Sequence, residues 1–209
     1  MEIIFLIYNK YIKFDDFRRK HIYNKSVNNV LNIMLKNFDN YMFPMLIFIL
    51  NRKKCEDIAN SIDIIFNTSE EQNLVETFIN KKIRELQLNY LLELDQFNMI
   101  KKLLVKGIGI HTSALIPIIK EIVEILYDKK LIKVLICTET LSIGLNFPTK
   151  TVIFTDLYKF DTNKRLLHSH ELLQMAGRAG RRGIDNKGHV IFLPQLLKEP
   201  IRDYELAKL

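Results

Sequence analysis

A chain of 209 residues, 48% hydrophobic and 26% charged, is long enough for one large core and has the balance of a soluble globular protein. Lys and Arg outnumber Asp and Glu by 31 to 24, and the resulting charge of +7 is compatible with a polyanionic partner such as nucleic acid. The composition argues against three classes: Cys55 and Cys137 form no CxxC pair, the five His make no ligand spacing, and no apolar run approaches the roughly 20 residues of a membrane span.

Residues 1–40 read as an irregular lead-in, with a short strand at Glu2–Ile7 and a helical recurrence of Val27, Val30, Leu31, Met34 and Leu35. Tyr8, Asn9 and Lys10 follow the first apolar run where a secretory signal would place a small-residue cleavage site, so the expected compartment is the cytoplasm or nucleus. From Met45 the pattern alternates. Met45–Leu50 is a continuous apolar run, as in a strand buried on both faces, and Asn51–Ser61 reads as a helix. Residues 70–104 read as two or three helices, with Leu74, Phe78, Ile83, Leu86, Leu91, Leu94, Ile100 and Leu104 as core positions. Gly107–His111 is a short strand candidate. The next helix carries Leu115, Ile118, Ile119, Ile122, Ile125 and Leu126 on one face, with Ser113 as its expected N-cap and Pro117 in its first turn. Leu131–Cys137 and Thr151–Thr155 read as strands, Arg165–Ala179 as a helix and Gly188–Leu193 as a final strand. Such alternation predicts an α/β fold, a parallel sheet with helices on both faces. Residues 41–195 are the expected domain, and 196–209 a tail.

The most informative stretch is Gln174-Met175-Ala176-Gly177-Arg178-Ala179-Gly180-Arg181-Arg182-Gly183. Arginine presents planar bidentate donors suited to phosphate oxygens, and glycines let a backbone approach an anion closely. A lone Arg-x-x-Arg-Arg would normally be a solvated helix end. Here Gly177 and Gly180 would each cost about 1 kcal/mol inside a helix, which favours a phosphate site over an ordinary helix end. Thr138-Glu139-Thr140-Leu141-Ser142-Ile143-Gly144-Leu145-Asn146-Phe147-Pro148 directly follows a strand, where open α/β sheets bind ligands, although by itself it reads as a Thr-rich turn. Asn51-Arg52-Lys53-Lys54 also follows a strand and opens a helix; it is a solvated start or an anion site. Gly107-Ile108-Gly109-Ile110-His111-Thr112-Ser113-Ala114 contains one His, which alone would be structural.

Together, and in this order, the four stretches resemble the second RecA-like domain of superfamily-two DExH helicases, in the form of the superkiller-type and exosome-associated RNA helicases. The resemblance implies a RecA-like three-layer α/β/α domain that contributes to an ATP site and to nucleic-acid contacts, RNA ahead of DNA. It implies that Gln174, Arg178 and Arg181 reach the ATP phosphates, with Arg181 as the arginine finger. Gly144, Asn146 and Gly177 would lie at the nucleotide, Asn146 beside the ribose. Thr138, Asn51, Arg52 and His111 would contact nucleic acid, and Glu139 would organise its loop. Thr112 and Ala114 depart from the family's second His and its Gly, so the backbone there is expected to differ.

The sequence contains neither a GxxxxGK[ST] phosphate loop nor an Asp-Glu-x-His motif. Mg2+ is therefore expected only through a first RecA-like domain, supplied in trans or lost by truncation, and the chain alone is expected to hold half an ATP site. The competing reading is a non-catalytic degenerate helicase module that binds nucleic acid or a helicase partner.

Overall fold

Every strand of the main sheet runs in the same direction. The computed structural model describes residues 2–6, 27–142, 147–160, 162–180 and 185–192. Its strands are β1 (Glu2–Leu6), β2 (Met45–Phe48), β3 (Ile108–His111), β4 (Val134–Cys137), β5 (Thr151–Phe154) and β8 (Lys187–Phe192), in the order β1-β8-β5-β2-β4-β3. A separate antiparallel hairpin joins β6 (Tyr158–Phe160) to β7 (Lys164–Leu166). The helices are α1 (Val27–Asn37), α2 (Arg52–Ser61), α3 (Ser69–Glu85), α4 (Asp95–Val105), α5 (Pro117–Asp128) and α6 (Ser169–Ala176).

The apolar runs form strands because both of their faces are covered. Side chains alternate across a strand. On β2, Leu46 and Phe48 enter one core with residues of α3, α5 and α6, while Met45 and Ile47 enter the other with α1 and α2. β4 divides likewise, Leu135 and Cys137 on one side and Val134 and Ile136 on the other. All four positions of β2, β3, β4 and β5 are buried. This is the expected α/β/α layering. The segment before residue 40 also joins it: β1 pairs in parallel with β8, and the Asn32 side chain donates to Ser61 O at 2.6 Å and accepts from Asp63 N at 3.1 Å.

Several local expectations are corrected. On α3 the buried line is Val75, Ile79 and Ile83, whereas Leu74 and Leu86 are 58% and 47% exposed. The capping box of Thr68 and Glu71 starts this helix, and the inward stripe runs one position beyond Leu74. Ser113 does not cap α5. Ile116 is the N-cap and Pro117 the first residue, because Thr112–Leu115 is taken up by a turn closed from Leu115 N to Thr112 O. The helix expected over Arg165–Ala179 shortens to α6, since Lys164–Leu166 pairs with Tyr158–Phe160 instead. Among the described residues, no helix is long and apolar enough to cross a membrane.

Candidate nucleotide and nucleic-acid interface

Parallel strands place their carboxyl ends on one edge, and β2 and β4 are direct neighbours there. Beyond β2, Ile49 N donates to Cys137 O at 2.9 Å, so the chain leading to Asn51 still runs beside the end of β4. Asn51 caps α2: its backbone is extended, and its side-chain oxygen accepts from Lys54 N at 3.2 Å. Arg52, Lys53 and Lys54 are all exposed in the first turn, which has no acidic residue. Cations at the positive end of a helix dipole are unfavourable, by up to about 1 kcal/mol each at a surface. A cluster arranged this way suits an external anion better than it suits the helix.

Next to it, Thr138 leaves β4. It is 4% exposed, its N–H donates to His111 O at 3.3 Å, and its carbonyl accepts from Leu141 N as the short 3-10 turn Glu139–Ser142 begins. His111 ends the neighbouring strand β3 and is 7% exposed. Its Nε2 lies 2.7 Å from Glu124 Oε1 on α5, and its buried Nδ1 has no hydrogen-bond partner among the described residues. The structure thus brings Asn51, Arg52 and Thr138 to one edge. It sets His111 beneath that edge, where the side chain supports the β3 end from below.

The arginine stretch is organised differently. α6 begins near the carboxyl edge, with Glu171 linked through Lys159 to Glu139, and it finishes at the opposite edge, where Gly180 N donates to Thr149 O at 2.9 Å ahead of β5. Met175, Ala176 and Leu172 face the core, leaving Leu173, Gln174 and Gly177 exposed along the outer face. A methyl group added to Gly177 would meet only the helix's own carbonyls within 4 Å, the nearest being Leu173 O at 3.0 Å, so the outer side of this C-cap is otherwise open space. Arg178 is half-buried, and removal from water lowers the pKa of its guanidinium. The turn after α6 is held by Gly180, whose φ of 73° suits glycine, and by Gly188 of β8. A Cβ on Gly188 would lie 2.2 Å from Ala179 O. Sequence reasoning passed over Gly188; its only signal was a glycine opening the last strand. Arg181, Gly144 and Asn146 lie outside the described residues.

The β6–β7 hairpin connects these two regions. Arg165 of β7 clasps Glu171 with Nη1 to Oε2 at 2.7 Å and Nη2 to Oε1 at 2.9 Å, and His168 N donates to the same carboxylate at 2.8 Å. Lys159 of β6 lies 3.4 Å from Glu171 and 3.5 Å from Glu139. The Arg165 guanidinium, with help from the His168 amide and Lys159, holds the Glu171 carboxyl far below the usual carboxylate range. No group of metal-ligating side chains occurs among the described residues.

Comparison with known proteins identifies the family. The helicase conserved C-terminal domain model fits residues 42–183. The chain is 44% identical over 163 residues to the ATP-dependent RNA helicase mtr4 of Schizosaccharomyces pombe, covering 77% of this chain and 14% of that protein. It is 44% identical over 154 residues to the antiviral helicase SKI2 of Saccharomyces cerevisiae, 73% of this chain and 12% of the relative. It is 39% identical over 186 residues to the human exosome RNA helicase MTR4, 88% of this chain and 18% of the relative. The chain thus spans less than a fifth of the length of these relatives. With a parallel sheet layered by helices, motif-bearing strand ends on one edge and Gln174 and Gly177 exposed on the outer side of α6 and its C-cap, the chain belongs to the helicase conserved C-terminal domain family, in its Mtr4/Ski2-type DExH branch.

Proposed function

We propose that the chain acts as the second RecA-like half of an ATP-dependent RNA helicase, with β1 and α1 belonging to the same domain as residues 41–195. The observation that carries this reading is the presence of two surfaces on one layered α/β domain. One is the β2–β4 edge, with Asn51, Arg52 and Thr138, and the other is the α6 face, with Gln174 and Gly177 exposed and Arg178 at its end.

The donor set fits the triphosphate of ATP. Gln174 and Arg178 hold the terminal phosphate, Gly177 leaves room for the nucleotide beside them, and Arg181 is the arginine finger. Gly144 and Asn146 take the nucleotide's sugar side. ATP supplies the phosphoanhydride whose hydrolysis drives the cycle, and Mg2+ is held by a first RecA-like domain that carries the phosphate loop and the Asp-Glu-x-His motif. Planar, always-charged guanidinium groups neutralise developing charge on a transferring phosphoryl group, an effect of about 10³–10⁵ in rate. Asn51, Arg52 and Thr138 hold the RNA backbone, while His111 braces the strand end below them. Closing of the two halves brings the α6 face to the nucleotide, and opening moves the edge along the strand. The expected compartment is cytoplasm or nucleus.

The test supplies a first RecA-like half in trans and measures RNA-stimulated ATP hydrolysis. Arg181→Ala is expected to abolish turnover with the fold intact by circular dichroism. Unchanged turnover in that variant would sink the assignment.

A further inference from the structure

Glu139 belongs to the turn at the nucleic-acid edge, and Glu171 to the helix that carries Gln174 and Arg178. Like charges so placed gain nothing from each other. Lys159 stands between them, 3.5 Å from one carboxylate and 3.4 Å from the other. Its side chain is only 19% exposed, and those of Glu139 and Glu171 are 32% and 20% exposed, so these charges are partly withdrawn from solvent screening. Arg165 fixes Glu171 from the other side with its two-bond clasp, and the His168 amide completes the grip at the start of α6. Both cations come from the β6–β7 hairpin, which is not part of the main sheet. Core packing of that sheet therefore does not require them.

We infer that Lys159 and Glu171 are positioning residues: through them the hairpin transmits the state of the Thr138–Glu139 edge to the α6 face. Displacement of Glu139 when a polyanion occupies the edge alters the field on Lys159. Lys159 then shifts its share of attraction towards Glu171, and α6 responds because Glu171 stands in its first turn and accepts from the backbone amide of its N-cap residue, His168. The inference rests on the proposed function for the identity of the two ligands. The coupling itself is a property of this chain and needs neither ligand to be measured.

The experiment uses the full 209-residue chain labelled with ¹⁵N. In the free protein, Glu139→Gln is expected to shift the amide resonances of Gln174, Gly177 and Arg178. That effect is expected to vanish in a Lys159→Met background and to return in Lys159→Arg. A purely structural Lys159 would leave the propagated shifts in place, and their persistence in Lys159→Met overturns the inference, as does a failure of Glu139→Gln to reach α6 at all. Should Lys159→Met fail to give a folded spectrum, Glu171→Gln, nearly isosteric, takes its place with the same two outcomes. A second arm adds single-stranded oligouridine. Shifts at Arg52 and Thr138 that reach α6 only when Lys159 is present support the inference, and shifts that reach α6 without it overturn it. Absence of any oligouridine binding counts against the proposed function and leaves the first arm to decide the coupling.

Discussion

Arg165 and Glu171 are joined by two parallel hydrogen bonds, 2.7 and 2.9 Å long, that tie a hairpin outside the main sheet to the first turn of α6. The carboxylate also closes the helix N-terminus through the His168 amide, so one side chain serves as cap, dipole partner and tether.

Acid should release this tether. The Glu171 carboxyl is more acidic in the folded chain than in the unfolded one. A depressed folded pKa means that its contribution is complete above the unfolded value, about 4.3, and is lost as pH falls through and below that value. Urea midpoints measured from pH 6 down to pH 3 should therefore fall more steeply for the native chain than for Glu171→Gln. Parallel pH profiles would show that the clasp adds no stability.

Asn51 offers a way to separate folding from binding. Asp is as good an N-cap as Asn and suits the helix dipole better, whereas Ala loses about 1 kcal/mol. Asn51→Asp should keep or slightly raise the melting temperature and yet weaken oligouridine binding, because a carboxylate replaces a neutral amide beside the RNA phosphates. Fluorescence anisotropy alongside thermal melts checks both halves, and undiminished affinity would remove Asn51 from the interface.

Arg52 should behave as a phosphate contact. Its replacement by Ala is expected to reduce the slope of log affinity against log salt by about 0.7, the value for one phosphate on a single strand. Binding titrations at several salt concentrations read this directly; an unchanged slope assigns Arg52 to the solvated surface.

Gly188→Ala should be among the more damaging small substitutions in the chain. The new methyl would sit 2.2 Å from the Ala179 carbonyl, and neither backbone can yield without disturbing β8 or the Gly180 turn. Overpacking of this kind costs about 1–3 kcal/mol. Urea denaturation measures the loss, and a change within error would mean that the two segments separate freely.

The strands were readable because burial on both faces writes an unbroken apolar run, as at Met45–Leu50 and Val134–Cys137. Of the motif segments, only Gln174–Gly183 pointed to phosphate by its own residues, through glycine-spaced arginines; the other three gained meaning from their order and their likeness to one helicase domain. Helix phase was less readable: Leu74 and Val75 are both apolar, and only the seat of α3 on α4 and the sheet decides which turns inward. α6 was overextended for a related reason. Lys164–Leu166 has no period of its own, and its strand exists only because Tyr158–Phe160 lies opposite.

By itself the sequence determined the alternating α/β pattern, the order of the four motifs and their likeness to one helicase domain, since these depend on residue types at short spacing. Tertiary structure alone decided that β2 and β4 stand side by side, that Glu2–Leu6 completes the sheet against β8, and that His111 turns inward to Glu124. It alone set Lys159 between Glu139 and Glu171. Each of these relations joins residues that the linear pattern does not pair, and their energies depend on distances and burial that exist only after the parallel strands have chosen their neighbours.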